Sequence, residues 1–176
     1  MFFYRELSEN EINRDLFRAF QRRQIVTKCL RKEDGKWVIR EDPFIDDWGK
    51  EEYKELVRCL KNTVATEGVV YGAFVNDELK GFVSVEGVKI GSHLQYMDLS
   101  SLHVSQDMRR QGIGRELFLL AKRFAKEKGA EKLYISSHSA VESQAFYRSM
   151  GCAEAAEYIS EHVEKEPFDC QLECGL

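Results

Sequence analysis

Residues 102–117, Leu102-His103-Val104-Ser105-Gln106-Asp107-Met108-Arg109-Arg110-Gln111-Gly112-Ile113-Gly114-Arg115-Glu116-Leu117, read as a strand that runs into a basic loop and then directly into a helix. Such a turn aims unpaired backbone N–H groups at one point, where the helix dipole adds partial positive charge. Gly112 and Gly114 remove side chains that would hold an anion away from the backbone, and Arg109, Arg110 and Arg115 surround the same point. These residues predict a phosphate or diphosphate site. A P-loop requires Gly-Lys-Ser/Thr, whereas Arg115-Glu116 follow Gly114. A dinucleotide fingerprint requires a third glycine where Leu117 stands, near the start of a βαβ unit.

The elements around this segment are read from periodicity and punctuation. Phe2–Leu7 predicts a strand, and Ser8-Glu9-Asn10-Glu11 a capping box opening a helix to about Arg23. Asp34-Gly35 between QIVTKCLRKE and KWVIRED predicts a hairpin, an elaboration at about 24–48. Pro43 to Gly49 is expected to be a loop, followed by a helix from Lys50 to Thr66. Strands at 69–75, 80–90 and 94–104 form a meander. A helix at 113–128 buries Ile113, Leu117, Leu120, Ala121 and Phe124. KLYIS, a short helix at 141–150 and two last strands complete the order. That order predicts an α/β chain of α+β type, one domain over 1–176, with a mixed sheet covered by helices.

Composition narrows the partners. The 176 residues carry 30 acidic and 26 basic side chains, a net charge of −4, which argues against nucleic acid. No apolar run approaches the roughly 18 residues of a membrane helix, and the start MFFYRELSENE lacks the features of a signal peptide. The five cysteines, at 29, 59, 152, 170 and 174, are an odd number and are expected to be free thiols in the cytoplasm.

The pattern Arg109…Gly112…Gly114, the strand ending Ser-Leu-His-Val before it, and the later block Ser143-Gln144-Ala145-Phe146-Tyr147-Arg148-Ser149-Met150-Gly151-Cys152 resemble the two signatures of the GNAT N-acetyltransferase superfamily. The resemblance runs from about Gly68 to Gly151. It implies a mainly antiparallel central sheet flanked by helices on both faces. It also implies acetyl-CoA as cosubstrate, no metal, and direct transfer of the acetyl group to a primary amine of a small molecule or peptide. On this sequence the backbone of Leu102, His103 and Val104 would run beside the pantetheine arm. Arg109, Arg110, Gln111, Gly112, Ile113, Gly114 and Arg115 would hold the pyrophosphate, and Ser143 would help to hold the arm. Tyr147 would protonate the departing thiolate. Cys152 stands where the family usually has Phe, and Ala140 near where many members carry Asn. Monomers and homodimers both occur among similar proteins.

The amine's proton needs an acceptor, and Glu86 or Asp98 is the candidate base. Seven acidic residues between Glu154 and Leu176, against Lys165 alone, suggest an acidic wall favouring a cationic amine, with Glu157 and Glu161 as its test positions. Several other readings are weighed and set behind this one. They are a catalytic His103, a metal at His162, Cys170 and Cys174, a Cys152 nucleophile with His138, a CoA-binding module without turnover, and a nucleotide enzyme.

Overall fold

The computed structural model describes residues 1–176. In chain order it contains β1 (Phe3–Glu6), two 3-10 turns (Glu9–Glu11 and Arg14–Phe17), β2 (Arg23–Glu33), β3 (Lys36–Asp47), α1 (Lys50–Ala65), β4 (Val69–Val75), β5 (Glu78–Ile90) and β6 (Tyr96–Val104). After a 3-10 turn at Gln106–Met108 come α2 (Ile113–Glu127), β7 (Lys132–Ser137), α3 (Val141–Ser149), β8 (Ala153–Glu154), α4 (Ser160–Lys165) and β9 (Cys170–Gly175).

Seven strands form one sheet in the order β1-β4-β5-β6-β7-β9-β8. Every neighbouring pair is antiparallel except β6 and β7, which α2 joins as a parallel crossover. On one face, α2 and α3 bury Ile113, Leu117, Phe118, Ala121 and Tyr147 against Val83, Val85 and Met97. On the other, α1 and the N-terminal turns bury Tyr53, Leu60, Ile12 and Phe17 against Val70 and Phe82. This is the expected mixed, mainly antiparallel sheet with helices on both faces.

Two irregularities position the site. The β5–β6 register passes from Val85↔Leu99 to Ser84↔Ser101, leaving Ser100 as a bulge, and Glu86 to Val88 bow out opposite Asp98. The parallel ladder from β6 to β7 has only the pairs Tyr96↔Lys132, Met97↔Leu133 and Asp98↔Tyr134. Beyond Asp98 the two strands part, and a gap opens in the middle of the sheet.

The hairpin forms where expected, as a separate two-stranded ribbon, with Asp34 (φ 49°) and Gly35 (φ 76°) in the left-handed turn. The chain from Gln21 into β2 is tied to both lips of the gap. Gln106 N–H donates to Gln21 O (2.8 Å) at the end of β6, and Leu30 N–H to Ser139 O (2.8 Å) at the start of α3.

Four expectations change. No α-helix follows Ser8. Glu11 accepts the Ser8 N–H (2.8 Å), but the chain extends at Ile12 so that its side chain enters the core, and Asn13 starts a second turn by accepting from Leu16 N–H (3.0 Å). Pro43 lies within β3, not in a loop: Asp42 and Pro43 bulge opposite Thr27, where a missing N–H removes no ladder bond. The buried stripe of α2 takes Phe118 and Ala125, leaving Leu120 and Phe124 half-buried. Finally, α4 interrupts the terminal strands. No helix is long and apolar enough to cross a membrane.

Gly68, between α1 and β4, is a position of close backbone approach. A Cβ there would stand 2.5 Å from Val85 O and 2.7 Å from Thr63 O, atoms that cannot swing aside. Gly68→Ala is expected to lower stability by about 1–3 kcal/mol in urea unfolding, whereas Gly175→Ala, in open space, leaves the midpoint in place.

Candidate active site

The basic loop forms as its composition predicts. Arg110 (φ 62°) and Gly112 (φ 85°) both adopt left-handed conformations that turn the chain sharply into α2. The backbone N–H groups of Gln111 to Arg115 donate to no acceptor in the protein, so the helix start presents a cluster of free donors. Arg110, Gln111 and Arg115 are exposed, while the Ile113 side chain is buried, leaving only its backbone to face a ligand. Arg109 turns inward: its guanidinium donates to Val104 O (3.3 Å) and Arg23 O (2.7 Å), stitching the loop to β6 and β2. A Cβ on Gly114 would lie 3.4 Å from Phe146 and 3.7 Å from Val104, so the loop, the end of β6 and α3 meet at this point.

Tyr147 and Ser143 lie one turn apart on α3, on the same face. The Tyr147 ring is buried beside Phe118 and Phe146, and its hydroxyl makes no hydrogen bond within the protein. Burial raises its pKa well above that of an ordinary phenol, with smaller contributions from Cys152 and Asp169. Ser143 is half-buried with an uncommitted hydroxyl.

On the opposite face of the sheet, a cleft of about 910 Å³ opens between α1, α4 and the middle of β5 and β6. Glu86 and Asp98 both line it. Glu86 Oε1 accepts from Thr63 Oγ1 (2.7 Å) and from the bulge residue Ser100 (2.6 Å). Asp98 Oδ2 lies 3.0 Å from His162 Nε2, and Oδ1 is buried without a partner. The His162 ring stacks on Tyr134 and is held there by the carboxylate.

His103 faces the same cleft, packed against Trp48 and Phe82. Its Nδ1 accepts from Arg22 Nε (3.1 Å). Burial, with Arg22 and Arg109 nearby, lowers its pKa to about 3, so the ring is neutral and a poor proton acceptor.

The acidic wall comes only in part from the C-terminal acids, and not from the two test positions Glu157 and Glu161. Glu157 is spent on Ser92 (N–H 2.8 Å, Oγ 2.9 Å) and Gln95 (2.9 Å), Glu154 on Lys32, and Glu173 on Lys132 and Tyr96, all outside the cleft. Glu161 is exposed and does not line it either. Of the terminal acids only Glu166 and Asp169 reach the cleft; α1 adds Glu51, Glu52 and Glu55. With Glu86 and Asp98 these carboxylates outnumber the lining cations Arg58 and Lys165. A terminal strand folds back across its neighbours, so its acids divide among cross-strand partners. The α1 acids went unnoticed because a helical charge run is usually a solvated face.

Asp169 was missed as an individual residue. It precedes β9 and accepts from Ser136 Oγ (3.1 Å) on the part of β7 that has left β6. Cys152 lies against Cys174, and His138 accepts from Ala140 N–H (3.0 Å), so the two do not form a nucleophile and base. No group of three His, Cys, Asp or Glu side chains could hold a metal ion.

Residues 36–152 match the profile of the acetyltransferase (GNAT) family. No curated protein sequence matches the chain. Among solved structures, a Bacillus anthracis protein designated a streptothricin acetyltransferase, in complex with acetyl coenzyme A, is similar at TM-score 0.74 and 18% identity, covering 100% of both chains. A nourseothricin acetyltransferase is similar at TM-score 0.70 and 17% identity, covering 99% of this chain and 98% of that one. The PaiA N-acetyltransferase of Thermoplasma acidophilum, in complex with coenzyme A, is similar at TM-score 0.62 and 16% identity, covering 100% and 99%. At these identities the likeness is one of fold.

The two cleft histidines should titrate far apart. Asp98 raises the pKa of His162 above the ordinary 6.5. The pair therefore stabilises the fold fully below pH 6.5 and progressively less as pH rises through the raised value. In an NMR titration His162 is expected to protonate above pH 6.5 and to shift downward in Asp98→Asn, while His103 stays neutral down to about pH 3.

Proposed function

Because the chain belongs to the GNAT acetyltransferase family, we propose that it transfers an acetyl group from acetyl-CoA to a primary amine of a small molecule or peptide, by direct attack of the amine on the thioester. The observation that carries this reading is the gap between β6 and β7, with free backbone donors on one side of the sheet and an acidic cleft on the other. The similar folds that hold coenzyme A or its acetyl form support the choice of cosubstrate.

Acetyl-CoA supplies an activated carbonyl and a good leaving group. The chain's residues do the rest. The N–H groups of Gln111 to Arg115 bind the pyrophosphate, with Arg110 and Arg115 adding charge and Arg109 holding the loop in shape. The edge of Leu102, His103 and Val104 that faces the gap runs beside the pantetheine arm. A main-chain N–H there steadies the carbonyl oxygen as it gains charge. Ser143 offers its hydroxyl to the same arm. Tyr147 keeps its proton at neutral pH because its ring is buried, and donates it to the sulfur as the C–S bond breaks.

The acceptor arrives as an ammonium ion. With a pKa of about 10.4, an alkylamine is neutral in roughly one molecule in 2,000 at pH 7, a penalty of about 4.6 kcal/mol. Glu86 and Asp98 line the acceptor's path and attract it. The excess of carboxylates favours acceptors with more than one positive charge. A monomer or homodimer working in the cytoplasm fits this reading.

Incubation with acetyl-CoA and a panel of polyamines, aminoglycosides, amino acids and peptides, read by mass spectrometry, is expected to give an acetylated amine and free CoA. Tyr147→Phe should lower kcat about 10²–10⁴-fold and leave the Kd for acetyl-CoA close to that of the parent. Acetyl-CoA binding without product from any amine would favour a binding module instead.

A further inference from the structure

We propose that Asp169 is the catalytic base that takes the proton from the acceptor's ammonium group. This rests on the acetyl-transfer reading above and deepens it. The first argument is position. Ser136, which holds the Asp169 carboxylate, lies two residues beyond the last β6–β7 pair, so Asp169 sits on the lip of the gap while also lining the acceptor cleft. Its charge is close enough to Tyr147 to hold the phenol's proton more tightly, although Tyr147 packs on the other face of the sheet. The proton donor and the proton acceptor therefore flank the place where the C–N bond must form and the C–S bond must break.

The second argument is availability. Asp169 accepts one hydrogen bond, from Ser136 to Oδ2 (3.1 Å), and has no salt-bridge partner, so Oδ1 is uncommitted. The two carboxylates singled out in the sequence are held more firmly. Glu86 takes two hydroxyl donors on Oε1, and Asp98 has one oxygen against His162 and the other shut away from solvent.

The third argument is electrostatic surroundings. Burial raises the Asp169 pKa, and Glu166 raises it further. Ser136, His138 and His162 pull it down, leaving a net increase. Tyr147 and Cys170 also face it, both protonated at neutral pH; burial lifts the Cys170 thiol to about 12. A carboxylate with a raised pKa is a stronger base than one held by ion pairs.

The protons balance. Asp169 takes one from the ammonium and frees the nitrogen lone pair. The lone pair forms the C–N bond, and the sulfur leaves with the C–S electrons and takes the Tyr147 proton. The acetylated nitrogen returns its surplus proton to the Tyr147 phenolate. Asp169 then releases its proton to solvent through the cleft, so one proton appears per acetyl group moved.

The test compares wild type, Asp169→Asn, Asp98→Asn and Glu86→Gln, using whichever of spermidine, kanamycin and a lysine peptide the wild type acetylates fastest. In wild type, kcat should fall on the acid side as Asp169 is protonated. In Asp169→Asn the limb set by Asp169 should be replaced by one that rises up to the amine's own pKa, with kcat about 10²–10⁴-fold lower near pH 7. The loss should shrink about tenfold per pH unit towards the amine's own pKa of about 10.4, as the acceptor deprotonates unaided. The thermal midpoint and acetyl-CoA Kd should match wild type. Independently of turnover, ¹³C-carboxylate NMR of the free protein should show Asp169 protonating above the ordinary 3.8 of an aspartate. An even loss of rate at all pH values, or a limb displaced towards the amine's pKa in Asp98→Asn or Glu86→Gln instead, would overturn the assignment. A wild type that acetylates none of the three amines would overturn the underlying reading, and that failure is visible before any variant is made.

Discussion

Two parallel strands that part leave backbone N–H and C=O groups facing each other across a space too wide for hydrogen bonds, and a protein interior does not leave such groups unsatisfied. Here the ladder between β6 and β7 stops at Asp98↔Tyr134, while each strand stays paired on its far side, β6 with β5 and β7 with β9. The bulge at Ser100 and the bow at Glu86 to Val88 are the distortions that let β6 turn away without breaking from β5. What fills the space must be long, thin and able to hydrogen-bond along its length, a description the pantetheine arm fits. The candidate residues are then arranged by their distance from that split.

The sheet also keeps two opposite electrostatic environments apart. On the α2 side, free amides and exposed arginines favour a polyanion. On the α1 and α4 side, carboxylates from a helix, two strands and a loop favour a polycation. Under the proposed function, a polyanionic cosubstrate and a cationic acceptor would neutralise each other if freely mixed; the sheet draws each to its own face, and they meet only where it is open. His103 sits between the two, and its loss of basicity follows first from burial and then from the guanidiniums of Arg22 and Arg109.

Much of this was legible in the sequence because it is written locally. The Arg109…Gly112…Gly114 loop, the Asp34-Gly35 turn and the lengths of α1 and α2 all depend on residues a few places apart. What was not legible depends on distant packing. The chain extends at Ile12 because a pocket against Phe17 and Phe82 accepts its side chain, which no capping pattern announces. Pro43 is tolerated in a strand only because Thr27 across the ribbon has no partner there. The acids near the C-terminus are indistinguishable by composition, yet Glu157 supports a loop while Asp169 reaches the cleft. The short α4, which brings His162 to Asp98, has no side-chain cap to mark its start.

The ribbon bears on how such a chain can diverge. Because the chain is anchored just beyond β6 at Gln21, before β2 begins, and to the start of α3 at Leu30 within β2, the run between those anchors has a fixed span. A residue gained or lost there would pull one lip of the gap towards the other or slacken both. The β3 strand has its ladder with β2 alone, and the Asp34-Gly35 turn projects into solvent. Insertions and deletions among descendants of this chain therefore belong in the turn and the outer strand, while the inner strand keeps its length as its residues change.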